Sequence, residues 1–185
     1  MSAESSRDPA ELADPAELAE LVALARASAP RPVVLVDGRS GSGKSTVARE
    51  LAAALGAELV RMDDLYPGWD GLDAGSRHVH DELLATSAPR WRRWDWHADR
   101  PAEWHAVDAA RALVIEGCGA LSRANRARAT LGVWVELDDA TRKERALARD
   151  GLDYAAHWDR WAAQEDAFIA RENPRNLADL VIERR

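Results

Sequence analysis

The octapeptide Gly38-Arg39-Ser40-Gly41-Ser42-Gly43-Lys44-Ser45 constrains this chain more than any other stretch of it. It matches the spacing G-x-x-x-x-G-K-[ST] at each fixed position, and its flanks are the ones that spacing needs. Ahead of it runs Val33-Val34-Leu35-Val36, a continuous apolar segment suited to a strand buried on both faces. Behind it a helix is expected from near Lys44, with Val47, Leu51 and Leu55 inside and Gly56 as its stop. The glycines let such a loop turn tightly, so that its backbone N–H groups point inward at phosphate oxygens. The helix N-terminus adds about half a positive charge. Gly38, Ser40, Gly41, Ser42, Gly43, Lys44, Ser45 and Thr46 are therefore the expected nucleotide contacts. Lys44 is expected to reach the β- and γ-phosphates, and the Ser45 hydroxyl to ligate Mg2+. ATP and Mg2+ are the ligands this implies.

The rest of the chain repeats the strand-then-helix pattern. Glu58 to Met62 reads as a weaker strand, and Ala112 to Ile115 as a strong one ending at Glu116-Gly117. Gly132 to Leu137 is another, ending at Asp138-Asp139, and Leu180-Val181-Ile182 is the last. This alternation predicts an α/β fold: a P-loop NTPase with a five-stranded parallel sheet, flanking helices and right-handed crossovers. With 185 residues the chain is read as one domain, 1–185. Within it, 1–29 form a tail and a first helix, 66–108 an inserted lobe that holds the acceptor, and 140–170 a lid and the following helix. The first seven residues are expected to be disordered. Asp8-Pro9-Ala10-Glu11-Leu12-Ala13 and Asp14-Pro15-Ala16-Glu17-Leu18-Ala19 are two copies of one helix start. A helix is predicted from about Pro15 to Ser28, packed on its own sheet or on a second subunit, which leaves a homodimer open.

Composition excludes several classes. A single cysteine, Cys118, forbids an internal disulfide. No apolar run approaches the roughly 18 residues that span a bilayer, so no membrane partner is expected. Met1 to Pro9 lacks the pattern of a secretory signal, and a cytoplasmic location is expected. A net charge of -7 argues against a nucleic-acid partner. There is no N-K-x-D for guanine and no L-S-G-G-Q signature, and the length looks too short for an AAA module with its lid domain. The His residues have no convincing zinc spacing with Cys118.

The acidic residues at strand ends carry the next layer of chemistry. Asp63 and Asp64 follow the second strand, where a carboxylate faces the γ-phosphate across the cleft. Transfer to an alcohol needs such a carboxylate to accept the proton and orient the hydroxyl, whereas transfer to a nucleoside monophosphate needs arginines instead. Either aspartate can be the base. Glu116 ends the third strand and is the second candidate Mg2+ ligand; Asp37 could also bind water or metal. After the fourth strand Arg142, Arg145 and Arg149 recur on one helix face, placed to clamp phosphates. Eight Trp against one Phe and two Tyr is unusual. Tyr66, Trp69, Trp91, Trp94, Trp96 and Trp104 could build a stacking pocket, with Asp95 between two Trp as a hydrogen-bonding partner for the acceptor.

Together these residues resemble the uridine kinase-like family of P-loop nucleoside and small-molecule kinases, over roughly Pro32 to Ile182. Asp63-Asp64-Leu65-Tyr66 is similar to the family's Asp-x-aromatic-Tyr motif, with Leu65 in the aromatic slot, and the match implies Asp63 as the catalytic base. Glu116-Gly117 resembles its Glu-Gly turn. Val135 to Asp150 resembles its lid segment, which implies Arg145 and Arg149 as catalytic, phosphate-binding arginines beside Lys44. Trp94-Asp95-Trp96 looks like the segment that contacts the nucleoside, so Tyr66, Trp94 and Asp95 join Asp63 as implied acceptor contacts. Gly151-Leu152-Asp153-Tyr154 and His157-Trp158 replace the arginine-rich stretch that follows the family's lid. The resemblance implies ATP- and Mg2+-dependent transfer of a γ-phosphoryl group to a small-molecule hydroxyl, with a uridine- or cytidine-like nucleoside first. The alternatives are a sugar acid, a vitamin precursor or an antibiotic as acceptor, a nucleoside monophosphate kinase using Arg61 or Arg77, or an ATP-binding regulatory module.

Overall fold

A computed structural model describes residues 14–184. The first copy of the duplicated unit, 8–13, and the tail expected to be disordered lie outside these residues. The second copy opens α1 (Pro15–Ser28). The Asp14 carboxylate accepts from the amides of Ala16 and Glu17, and Pro15 sits in the first turn, where no N–H is needed. Leu21 and Ala25 of α1 are buried in the core beside the sheet, so this helix packs on its own domain.

The apolar runs form one parallel sheet of five strands: β1 (Val33–Asp37), β2 (Glu58–Arg61), β5 (Leu113–Glu116), β6 (Leu131–Glu136) and β7 (Leu180–Glu183). The spatial order is β2-β5-β1-β6-β7. Every residue of β1 and β5 is buried, as a central parallel strand covered on both faces must be. Alternate side chains serve the two faces. Val34 and Val36 pack with α1 and α2 (Lys44–Leu55), while Val33 and Leu35 pack with Leu72, Trp161 and Phe168 on the opposite side. Those three come from α3 (Leu72–His78) and α6 (Trp158–Glu172). Two short helices, α4 (Arg123–Arg126) and α7 (Pro174–Leu177), complete the connections. The chain leaves β1 toward β2, returns through β5 and then crosses to β6. This reversal opens a crevice beyond the strand C-termini, the place where such sheets bind ligands.

The segment between Tyr66 and Asp108, expected to be irregular and helix-containing, is more ordered than that. After α3 and one π-helical turn (Val79–Leu83) it forms an antiparallel hairpin of β3 (Arg90–Asp95) and β4 (Arg100–Ala106). A register shift between Arg92 and Trp94 breaks the alternation a strand would otherwise show, and the lobe reads as irregular for that reason.

The helix after β6, α5 (Asp139–Ala155), is interrupted at Gly151 (φ 72°, ψ −156°), a backbone conformation open to glycine alone. It therefore changes direction between Arg149 and Tyr154. Among the described residues no helix is long and apolar enough to cross a membrane.

Candidate active site

The loop between β1 and α2 has the shape its glycines allow. Gly41 and Gly43 have φ of 84° and 90°. A Cβ at Gly41 would also collide with the Arg142 carbonyl. Gly41→Ala should therefore weaken ADP binding about tenfold or more without unfolding the domain, as calorimetry and a thermal melt run side by side would show. No side chain caps α2, which leaves its first-turn amides directed at the cleft. Ser42 Oγ is buried in the loop with no hydrogen-bond partner among the described residues, which suits a phosphate oxygen beside it. Lys44 is buried, its Nζ 3.4 Å from the Arg39 carbonyl. Burial alone would lower its pKa, but Cys118 and the carboxylates of Glu116, Asp63 and Glu165 together raise it, so the ammonium stays charged.

Around the loop stand the acidic residues. Glu116, 2% exposed at the end of β5, accepts a hydrogen bond from Ser45 Oγ at 3.1 Å. Two hard oxygen donors so close, one of them a carboxylate, fit Mg2+. Asp63 lies in a 3-10 turn (Met62–Asp64) just past β2, and its side chain is 56% exposed to the cleft. Asp64 is absent from the cleft lining, and burial pushes its carboxyl pKa up. Asp37 is no ligand in waiting. It accepts from the amides of Gly38 (2.6 Å), Gly119 (3.2 Å) and Leu121 (2.8 Å), and so ties the phosphate loop to the chain after β5. Burial outweighs these amides and pushes its pKa up to about 7.

Between loop and lobe lies a cleft of about 730 Å³. Arg145, Arg149 and Arg184 line it, together with Tyr66, Trp69, Trp96, Tyr154 and Trp161. Arg142, predicted on the same face, is instead 4% exposed and paired with Asp139 (2.6 Å) and Glu165 (3.6 Å). Its neighbour on the helix, Arg145, does reach the cleft. Trp94 and Asp95 are not brought there. The Asp95 carboxylate accepts from the amides of His97 and Ala98 and caps the hairpin turn, which also lowers its pKa. Trp96, one residue on, takes the cleft position; its Nε1 donates to the Asp63 carbonyl at 2.8 Å. Trp69 tilts against Trp96 at 5.1 Å and stacks on His157 at 4.3 Å. Tyr66 is 1% exposed, and its hydroxyl donates to the Cys118 carbonyl, so it supports the wall more than it offers a free polar group.

Besides the cleft-lining Trp161 and Arg184, a residue that holds the phosphate loop escaped the sequence. Glu165 of α6 is 3% exposed and accepts from the Ser40 amide (2.8 Å) and the Ser40 hydroxyl (2.7 Å). The Cys118 thiol and Arg39 Nε also donate to it, at 3.1 and 3.2 Å. Burial opposes ionisation, but these donors and the Lys44 charge hold its pKa below the ordinary glutamate value. The available signal was positional. Trp158, Trp161, Glu165 and Phe168 are the buried residues of α6, so a carboxylate sits in an otherwise aromatic stripe.

A family model described as AAA domain (AAA_18) matches residues 34–160. The chain belongs to this AAA-domain family. The matched stretch runs from β1 to the start of α6, which is the P-loop core itself. The length argument against an AAA module therefore fails at the level of family. A structure described as a possible uridine kinase from Bacillus stearothermophilus superposes with a TM-score of 0.62 at 20% identity, covering 90% of this chain and 97% of that one. This AAA-domain member thus has the fold expected from the uridine kinase-like resemblance. Locally it is 40% identical to a shikimate kinase from Corynebacterium efficiens over 67 residues, 36% of this chain and 37% of the relative. It is also 44% identical to a tRNA dimethylallyltransferase from Chlorobium phaeobacteroides over 55 residues, 30% of this chain and 17% of the relative. The chain spans well under half the length of both.

Proposed function

We propose that this chain is an ATP- and Mg2+-dependent phosphotransferase that moves the γ-phosphoryl group to a hydroxyl of a small molecule, a uridine- or cytidine-like nucleoside first. The observation that carries the reading is the shared cleft: Asp63, the phosphate loop, Trp69 and Trp96 all line it, and Trp96 is hydrogen-bonded to the Asp63 backbone. The names of two relatives, a possible uridine kinase and a shikimate kinase, point the same way. The net charge of -7 speaks against tRNA as acceptor.

In this reading the loop amides, Lys44, Arg145 and Arg149 hold the triphosphate and take up the charge that spreads over its oxygens during transfer. Ser45 and Glu116 would hold Mg2+, which would supply charge neutralisation on those oxygens. Asp63 accepts the proton of the acceptor hydroxyl and aligns its oxygen in line with the γ-phosphorus. Trp96 provides a face for the acceptor, while its Nε1 fixes the backbone of the base. The aromatic wall keeps water from the reacting oxygen. A monophosphate acceptor would need an uncommitted arginine. Arg61 is engaged by two carboxylates, and Arg77 is exposed on α3 outside the cleft lining.

The test is a panel of nucleosides, nucleotides, sugar acids and vitamin alcohols incubated with Mg2+ and ATP, with products read by mass spectrometry. A phosphomonoester of one alcohol supports the proposal. New phosphoanhydrides from monophosphates alone would refute it. Once the acceptor is in hand, Trp96→Ala should raise its KM about tenfold, the value of one aromatic stacking contact, and leave ADP affinity unchanged.

A further inference from the structure

Arg61 has no part in the reading above, yet it lines the cleft between the two acidic residues that do. It ends β2 directly beside Glu116 of β5, the two being register partners. Its Nε donates to Glu116 Oε1 at 3.3 Å, and its Nη2 donates to Asp63 Oδ2 at 3.1 Å. The other Glu116 oxygen accepts from Ser45 Oγ at 3.1 Å. Asp63, Arg61, Glu116 and Ser45 therefore form one unbroken line from the base to the phosphate loop. The Arg61 side chain is 50% exposed, while Glu116 is almost wholly buried.

One guanidinium between two carboxylates has a definite consequence. Its planar fork can serve both at once, which a lysine ammonium cannot do with the same geometry. It also offsets their mutual repulsion. A cation in contact with Glu116 competes with a metal ion for the same carboxylate, and the two positive charges repel. We propose that Arg61 is a positioning residue that couples the base to the metal ligand. It holds Asp63 and Glu116 together when no metal is bound, and yields Glu116 to Mg2+ while keeping Asp63 aimed across the cleft. The inference rests on the assignment of Glu116 and Ser45 to Mg2+ and of Asp63 to the acceptor hydroxyl.

The experiment measures ADP affinity by calorimetry across a Mg2+ series, for the native chain, Arg61→Met and Arg61→Lys. No acceptor is needed, so this measurement stands even if the kinase reading fails. In Arg61→Met the Mg2+ concentration for half-maximal ADP affinity should fall about tenfold, because a competing charge is gone. In Arg61→Lys, which keeps the charge, it should stay within about twofold of the native value. With an acceptor present, kcat should fall about tenfold in Arg61→Met, with the acceptor KM unchanged, since methionine cannot hold Asp63 once Glu116 is given to Mg2+. An unchanged or raised Mg2+ requirement in Arg61→Met, or an equal shift in Arg61→Lys, overturns the coupling. So does a native kcat in Arg61→Met. If the native chain turns over no acceptor, the kinase reading falls and the Mg2+ series alone decides the role of Arg61.

Discussion

Asp63→Asn should lower kcat for the acceptor-dependent reaction about 10²–10⁴-fold, the range for removing a general base. The change keeps the size and shape of the side chain. It removes only the ability to take a proton and half of the ion pair with Arg61. Because the side chain is 56% exposed, the fold should tolerate the change. ADP affinity should remain within about twofold, since the phosphate loop and Lys44 are untouched. Asp64→Asn is the matched control. Asp64 does not line the cleft, so its kcat should stay within about threefold of native. Steady-state kinetics on both variants discriminates the two aspartates, which the sequence leaves equivalent.

The second large effect is on stability. Glu165→Ala should cost about 3–5 kcal/mol, the loss seen when one partner of a buried ion pair is removed. Five groups lose their shared acceptor: the Ser40 amide, the Ser40 hydroxyl, the Cys118 thiol, the Arg39 guanidinium and the buried Arg142. For a domain of this size the melting temperature should drop by roughly 10 °C or more. Glu165→Gln keeps an acceptor for Ser40 and should lose less. The charge also predicts a pH dependence. Since the folded carboxylate has a lowered pKa, its contribution is fully present above the ordinary glutamate value and is lost as pH falls through its folded pKa. Native stability should therefore decline over that acidic window more steeply than that of Glu165→Gln, in denaturant melts at a series of pH values.

What the sequence made legible was local in origin. The phosphate loop, the five strands and the Asp14 cap each follow from residues within a few positions of one another, and the structure holds them where the spacing puts them. The hairpin was hidden because its shifted register destroys the alternation that announces a strand. Asp95 and Trp96 show the same limit more finely. Being adjacent in a strand end and turn, they point different ways, and only the fold decides which one meets the cleft. Arg142 failed as a phosphate ligand because Glu165, 23 positions away, draws it inward. Glu165 itself depends on α6 crossing beside Ser40, a long-range contact that no local pattern encodes. Residues set by the turn of one helix were readable; those set by the meeting of two elements were not.

The most direct measurement of the account is ADP release from ATP and Mg2+, with and without each alcohol of the acceptor panel, at equal enzyme concentration. One acceptor should raise ADP release far above the acceptor-free rate, in equal amount to the phosphomonoester formed. ADP release that is the same with and without every alcohol, or that rises only with monophosphates, would contradict it.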